Sequence, residues 1–442
     1  MSSQEQTIPK GDGEHNLENV PLSSKKSTIG IFVLLLSFTI LSTTMVAGAQ
    51  LGYNFIFDDL VIILLVGTAI LATYAGLMCW AGAKTGLSAF LLARMALGKS
   101  GAKWACLVLG GTQMAWYGVQ TAYLGLVFSA SLGLEAYFLP ITLFWGIFTG
   151  LFAIKGTRGM EIVAWLSLPA FLFLAYIVPS LSIAEAGGFQ ALRAIQPLTQ
   201  ELTFIAGITA VVGTFISGAT NTPNVARFIK APRKGFLAGI LAFGIGTLVM
   251  ASSGMLAGLA LQEGDMVVIL LGLGIVFMAM IILIFNIWTT NTVTIYAVGV
   301  ASTELFNKPN KTPFVICGII LGTLIGMLGI YNLIMPILIL SGTFIPPLGG
   351  IIVGDLLCTW RKKLPTIHSM EFKTVRKANW IAYLIAVLIA YGSAQFGIGI
   401  PSINGVVSAI VLCYAINKVF AMRGIDDNHK IKENAEYVYI NE

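Results

Sequence analysis

What this chain has little of is charge. Of its 442 residues only 10% are charged, against 57% hydrophobic. A soluble domain carries about 25% charged residues, so there is too little charge here to coat a water-facing surface. Period-two alternation is missing from the apolar stretches, which sets a membrane β-barrel aside. Clustered cysteines are missing too. Cys79, Cys106, Cys317, Cys358 and Cys413 stand singly, without metal-ligand or disulfide-framework spacing, and read as packing residues. The three histidines, His15, His368 and His429, fall in the tails and one loop. No cleavable leader is expected: residues 1–28 are hydrophilic, and the apolar run from Thr28 is too long for a signal core.

What is present is a series of apolar blocks of roughly 20 residues, the length a hydrocarbon core of about 30 Å asks of a helix. The predicted spans are 29–54, 59–81, 101–131, 137–154, 159–182, 201–221, 235–261, 266–300, 312–331, 334–357, 379–396 and 401–421. The fold class expected is all-α, a polytopic membrane protein of about twelve transmembrane helices. Threading the basic residues through these spans puts 25 of the 26 Lys and Arg on one side, with Arg193 alone on the other. That side includes Lys10, Lys84, Arg94, Arg227, Lys311, Lys362, Lys363 and Arg376, while Asp58, Asp59, Glu135, Glu263 and Asp265 fall opposite. The positive-inside rule makes the basic side cytoplasmic, with both termini there. The net charge of +6 is thus an orientation signal and not a nucleic-acid footprint.

No Lys, Arg, Asp, Glu or His stands at an apolar centre. A proton needs a base to ride on at membrane depth, so this absence favours a metal cation held by neutral oxygens, or passive movement. Asp355 and Glu161, near span ends, keep proton coupling open.

Four spans carry more polar and small residues than packing asks. The first holds Ser37, Thr39, Ser42, Thr43, Thr44, Gly48 and Gln50; the sixth holds Gly207, Gly213, Thr214, Ser217, Gly218, Thr220 and Asn221. Glycine weakens helices and small hydroxyls compete for backbone bonds, so both spans are candidates to unwind. Being five apart, they fit a five-plus-five inverted repeat whose broken helices line a central site. Small-residue helix packing gives the same composition and stands as the alternative. On the third span Gln113, Trp116 and Gln120 are spaced i, i+3 and i+7, one helical face. Two amides and an indole there suit a flat polar ligand, or amide bonds between helices with an interfacial Trp. On the eighth span Asn286, Thr289 and Thr290 share a face and suit either a cation cage or bonds back to their own helix.

In these same places the chain resembles the nucleobase–cation symporter family, in its bacterial cytosine permease branch. The stretches are 81–98 (AGAKTGLSAFLLARMALG), 110–118 (GGTQMAWYG), 213–217 (GTFIS), 286–291 (NIWTTN) and 345–355 (IPPLGGIIVGD), within a similarity running from about residue 28 to 420. The resemblance implies a LeuT-type fold: repeat one at about 29–182, repeat two at about 201–357, additional helices at about 379–421, and tails at 1–28 and 422–442. It implies import of a nucleobase, cytosine first, by Na⁺ symport at the inner membrane, with no enzymatic activity. The base would lie between Trp116 and Phe215, its edge read by Gln113 and Asn286, with Ser217 and Gly218 at the sixth-span break. Na⁺ would be held by the hydroxyls of Thr289 and Thr290 and carbonyls at Asn286, Ser37 and Ile40. Three departures touch the pocket: Gln120, where hydantoin-type relatives read substrate, the stretch 218–223 (GATNTP), and Val46 where a Trp is usual. Purine, uracil, hydantoin or hydroxymethylpyrimidine therefore stand as alternative rings, and proton coupling as the alternative drive. An amino-acid carrier fits the aromatic pair less well, and an intramembrane enzyme lacks a nucleophile or metal set.

Overall fold

The first span shows why this sequence makes a broken bundle. It runs as two helices, Thr28–Thr39 and Ser42–Asn54, bent by 43° at the junction. Ile40 (ψ 80°) and Leu41 (φ −115°, ψ 130°) leave helical geometry in the midst of the hydroxyl run 37–44. The sixth span is interrupted in the same way, into Phe204–Gly213, Ile216–Asn221 and Pro223–Ala226, with Phe215 (φ −136°, ψ 7°) at the first break.

The computed structural model describes residues 15–361 and 364–438, without the side chains of 157, 167–172, 174, 175, 276, 278 and 279. Lys10, Lys362, Lys363 and the outermost part of each tail lie outside the described residues. Each predicted span meets a helix or a string of helices. The second is Phe57–Thr85, the fifth Gly156–Glu185, the seventh Pro232–Leu261, and the ninth Thr312–Met327. The third joins Lys99–Ala105 to Gly111–Leu132 through a π-turn at Cys106–Gly110, a distortion that often marks a functional stretch. The fourth is Phe138–Gly150 with a 3₁₀ extension, and the last two are Lys377–Phe396 and Pro401–Met422. The tenth, Ile334–Phe344 and Pro346–Cys358, is interrupted at Ile345, because the following proline has no N–H to continue the ladder.

One boundary differs from expectation. The eighth span was predicted as 266–300; instead Met266–Gly272 is a separate short helix, and the long helix is Val276–Phe306. The turn between them is made possible by Gly274, which takes φ +67°. The short helix is as apolar as a span, so hydropathy alone fused the two. A buried helix, Ala89–Leu97, lies between the second and third spans.

Two groups of helices form. The first, second, sixth and seventh spans pack together, as do the third, fourth, eighth and ninth. The fifth touches the first, seventh and eighth, while the eleventh and twelfth lie against the tenth. The first and seventh spans meet backbone to backbone. A Cβ on Gly254 would stand 1.9 Å from the Met45 carbonyl oxygen, and one on Gly258 2.1 Å from that of Ala49. Such small-residue seams hold membrane helices by close van der Waals contact.

Candidate functional site

Where the two broken spans face the third and eighth, a small cavity forms. It is lined by Phe38, Leu41, Gln113, Trp116, Gln120, Thr214, Phe215, Gly218, Thr290 and Thr294. Its volume is ≈ 10 Å³, room for about one water molecule. Larger clefts of ≈ 350 and ≈ 450 Å³ lie elsewhere, one against the N-terminal segment and one apolar crevice beside the twelfth span. Neither gathers the amides and rings that a planar polar ligand needs, so size does not choose the site.

Five of the seven expected binding residues line this cavity: Gln113, Trp116, Gln120, Phe215 and Gly218. The Phe215 ring owes its place to the break, since its residue is outside the helix on either side. Gly218 gives it room: a Cβ there would meet Phe215 Cδ1 at 2.8 Å and Phe38 Cε1 at 2.9 Å. Ser217 stands one layer behind, its hydroxyl accepting from Gln113 Nε2 at 2.9 Å and sharing a bond with Thr112 Oγ1 at 2.6 Å. Gln113 is thereby oriented by the sixth span.

Asn286 is placed differently from its expected role at the ligand edge. Its Nδ2 donates to the Ile40 carbonyl at 2.6 Å, and its Oδ1 accepts from the Ser42 N–H at 2.7 Å. These are backbone groups released by the first-span break, and one side-chain amide satisfies both. An unpaired backbone group buried away from water costs about as much as a lost hydrogen bond, so Asn286 is the clamp that lets the first span stay open.

The expected cation ligands collect around that clamp. Thr290 Oγ1 donates to the Asn286 carbonyl at 3.0 Å and Thr289 Oγ1 to that of Phe285 at 2.9 Å. These are the bonds back to the helix that stood as the alternative reading. They do not exclude a cation, since a hydroxyl that has donated its proton still carries acceptor lone pairs. Ser37 Oγ donates to Ala164 O of the fifth span at 3.3 Å, and its carbonyl is among the last four of its helix, which lack intrahelical partners. Hard cations take such neutral oxygens. No cluster of three His, Cys, Asp or Glu exists among the described residues.

Of the two carboxylates that kept proton coupling open, Asp355 is tied to Arg376, Trp360, Thr359 and Asn379. Glu161 faces Lys26 at 3.8 Å. Neither lines the cavity.

Sequence reasoning missed Phe38, Leu41 and Thr294 as lining residues, and took Thr214 only as one of the residues that weaken the sixth span. Phe38 meets Phe215 edge to face, with centroids 5.0 Å apart, and occupies the side of the cavity facing the first-span break. Thr294 was within reach, standing four residues beyond Thr290 on the same face. Phe38 gave no signal, because one aromatic in an apolar helix is ordinary.

The profile of the family described as permease for cytosine/purines, uracil, thiamine, allantoin matches residues 23–417. The cytosine permeases of Escherichia coli strain K12 and of Escherichia coli O157:H7 are each 30% identical over 402 residues, 90% of this chain and 93% of theirs. Among solved structures, the nucleobase-cation-symport-1 family transporter Mhp1, closed with bromovinylhydantoin bound, has a TM-score of 0.80 at 14% identity, covering 92% of this chain and 95% of its own. Inward-facing Mhp1 gives 0.75 at 14% identity over 96% of each chain. A substrate-bound, outward-open Na⁺-coupled sialic acid symporter gives 0.64 at 11% identity over 93% of each. At these identities the structural matches speak for the LeuT-type fold.

Proposed function

This chain belongs to the family of permeases for cytosine, purines, uracil, thiamine and allantoin, and from that premise we propose that it imports a nucleobase, cytosine first, by Na⁺ symport through alternating access. It is a multi-pass membrane permease and not an enzyme. The carrying observation is that Trp116 and Phe215, on spans from the two helix groups, line one cavity with Gln113 and Gln120. A planar ring entering there would stack between indole and phenyl while the amides bond its edge. Stacking of this kind is worth about 1–3 kcal/mol per base. Since the cavity has room for about one water, a ring enters only when Phe38 and its neighbours move apart.

Na⁺ as co-transported ion would take the hydroxyls of Thr289 and Thr290 and the carbonyls of Ser37, Ile40 and Asn286. The clamp supports this reading: Asn286 binds the first-span break through its side chain and would offer its own carbonyl to the ion. Ion and base would each tighten the other's binding, because both need the first-span break held against the eighth span. The inner membrane, with both termini cytoplasmic, is the proposed setting. Its support is that both tails reach one loop: Asn19 Oδ1 accepts from the Ile367 N–H at 2.8 Å, and the Glu436 carbonyl from the Thr366 N–H at 2.8 Å. The lone basic residue of the opposite side, Arg193, pairs there with Asp58.

A hydantoin or another planar ring is the second reading, favoured by Gln120 in the cavity wall. The test is uptake of radiolabelled cytosine into proteoliposomes, with and without an inward Na⁺ gradient, in competition with uracil, purines, hydantoins and hydroxymethylpyrimidine. Saturable, Na⁺-stimulated uptake that no other ring competes better than cytosine itself is the expected result. Stimulation by a proton gradient instead would remove the ion assignment, and a stronger competitor would replace cytosine.

A further inference from the structure

The face of the third span that meets the cavity does not end there. Gln113, Trp116 and Gln120 are followed on the same face by Tyr123, at i+10. Tyr123 lies about 10 Å beyond Trp116 along the helix axis at the usual 1.5 Å rise, toward the side opposite the basic loops. Its side chain is fully buried. Its ring stacks on that of Tyr331, with centroids 5.6 Å apart and planes within 5°. Tyr331 is half-buried and sits in the 3₁₀ turn Ile330–Leu333 that opens the tenth span.

Polar atoms around this stack lack partners. Tyr123 Oη and Gln120 Oε1, one turn apart on this face, are both buried with no hydrogen bond among the described residues. Met45, Val46, Trp116 and Tyr123 share one packed cluster, and Tyr331 lies against it. Between the cavity and that end of the third span runs a wall offering ring faces together with unanswered donors and acceptors. Buried polar groups are normally paired, so their concentration here needs an explanation.

We propose that Tyr123 and Tyr331 part to take the planar substrate between their rings, forming a second station through which it reaches or leaves the cavity. Two parallel rings already stacked are the arrangement into which a third flat ring slides, and Gln120 Oε1, one turn nearer the cavity on the same face, then meets its polar edge. The inference rests on the reading above, that this permease carries a planar ring.

The experiment separates the two. Labelled cytosine, or the ring that wins the competition, is used for uptake and for equilibrium binding to purified protein at saturating Na⁺. Tyr331→Ala is expected to raise the KM of uptake about five-fold or more, the low end for losing one stacking partner. Its equilibrium Kd should stay within about two-fold of the wild type, and Tyr331→Phe should restore uptake. A Tyr123→Cys/Tyr331→Cys pair, in a background with Cys317→Ser and Cys358→Ser, should lose uptake when bridged by a short bis-methanethiosulfonate and regain it on reduction. An unchanged KM in Tyr331→Ala, a Kd weakened as much as KM, or uptake persisting through a formed cross-link would each overturn the station. Trp116→Ala is the control for the underlying reading. If it binds the ring as the wild type does, the cavity assignment fails, whatever Tyr331 shows.

Discussion

The middle of this molecule and its basic end treat polar atoms in opposite ways. At the basic end, the buried charges are paired. Arg376, fully buried, donates to Met95 O, Ala96 O, Asp355 Oδ1, Thr359 Oγ1 and Asn428 Oδ1. Arg227, also fully buried, reaches Asn224 O, His15 O, Asn16 Oδ1 and Tyr296 Oη. In the middle the polar groups are neutral, and many buried ones have no partner among the described residues, from Ser42 Oγ to Asn291 Oδ1. Arg376 Nε and Glu304 Oε2 are the exceptions at the charged end. The contrast teaches a division: the end has its buried charges paired in place, and the middle keeps hydrogen-bonding capacity unspent.

The harshest way to break that contrast is at the Arg376–Asp355 pair. Removing one partner of a buried pair leaves a bare charge and typically costs 3–5 kcal/mol. Arg376→Ala should therefore lose most of the protein's thermal stability in detergent, as read by melting on size exclusion. Arg376→Gln with Asp355→Asn should recover much of it, because no charge is then stranded.

The next largest effect belongs to Asn286→Ala. It strands the Ile40 carbonyl and the Ser42 N–H, each an unmade buried bond worth about 1–3 kcal/mol. Both melting temperature and Na⁺-stimulated uptake should fall, since the same side chain holds the helix break that the ion would share. If melting drops and the Na⁺ dependence of residual uptake is unchanged, the clamp is structural only.

Smaller changes sharpen the comparison from the other side. Trp116→Ala should weaken binding of the base about 5–150-fold, as the loss of 1–3 kcal/mol of stacking implies, while shifting the melting temperature less than Arg376→Ala does. Thr289→Ala should raise the Na⁺ concentration for half-maximal uptake several-fold and leave binding of the base at saturating Na⁺ nearly unchanged. Should Thr289→Ala and Thr290→Ala both keep the wild-type Na⁺ dependence, the ion lies elsewhere.

How much of this could be read in advance follows the same division. The breaks in the first and sixth spans were legible, because Gly, Ser and Thr in an apolar helix weaken it locally. The face of Gln113, Trp116 and Gln120 was legible from helical periodicity. The use of Asn286 was not: its partners, Ile40 and Ser42, lie 246 and 244 residues away and are backbone groups, which look alike at every position. The arginines were counted only as orientation signals. The bonds that make Arg227 and Arg376 interior residues come from loops and tails whose docking leaves no periodic mark. Phe38 and Tyr331 stayed hidden for a related reason. An aromatic in an apolar stretch reads as core until a second ring is seen against it.

The mildest test concerns His429, at the rim of the charged end. Its Nδ1 accepts from the Lys373 N–H at 3.2 Å, and its Nε2 lies 2.9 Å from the Met95 carbonyl, so the docked ring is neutral with its proton on Nε2. A proton on Nδ1 would face the Lys373 N–H. Burial, with the nearby Arg376 charge, lowers its pKa to about 4, against about 6.5 for an undocked histidine. Between those values the undocked tail binds a proton that the docked tail does not. Docking is therefore fully favoured above about pH 6.5 and weakens as pH falls toward 4. Ile431, exposed and paired with Met370 in the short tail strand, is the place for a reporter. A spin label on Ile431→Cys should gain mobility as pH is lowered through that window. Asp427, whose carboxylate accepts from the Ala378 N–H at 2.8 Å, also holds the tail, so His429→Gln is the decisive control. The amide can accept from Lys373 and donate to Met95 without titrating, and the label should then move little above about pH 5. Equal mobilisation in that variant would take the pH response away from His429 and leave its ring as packing against Trp360 and Phe372.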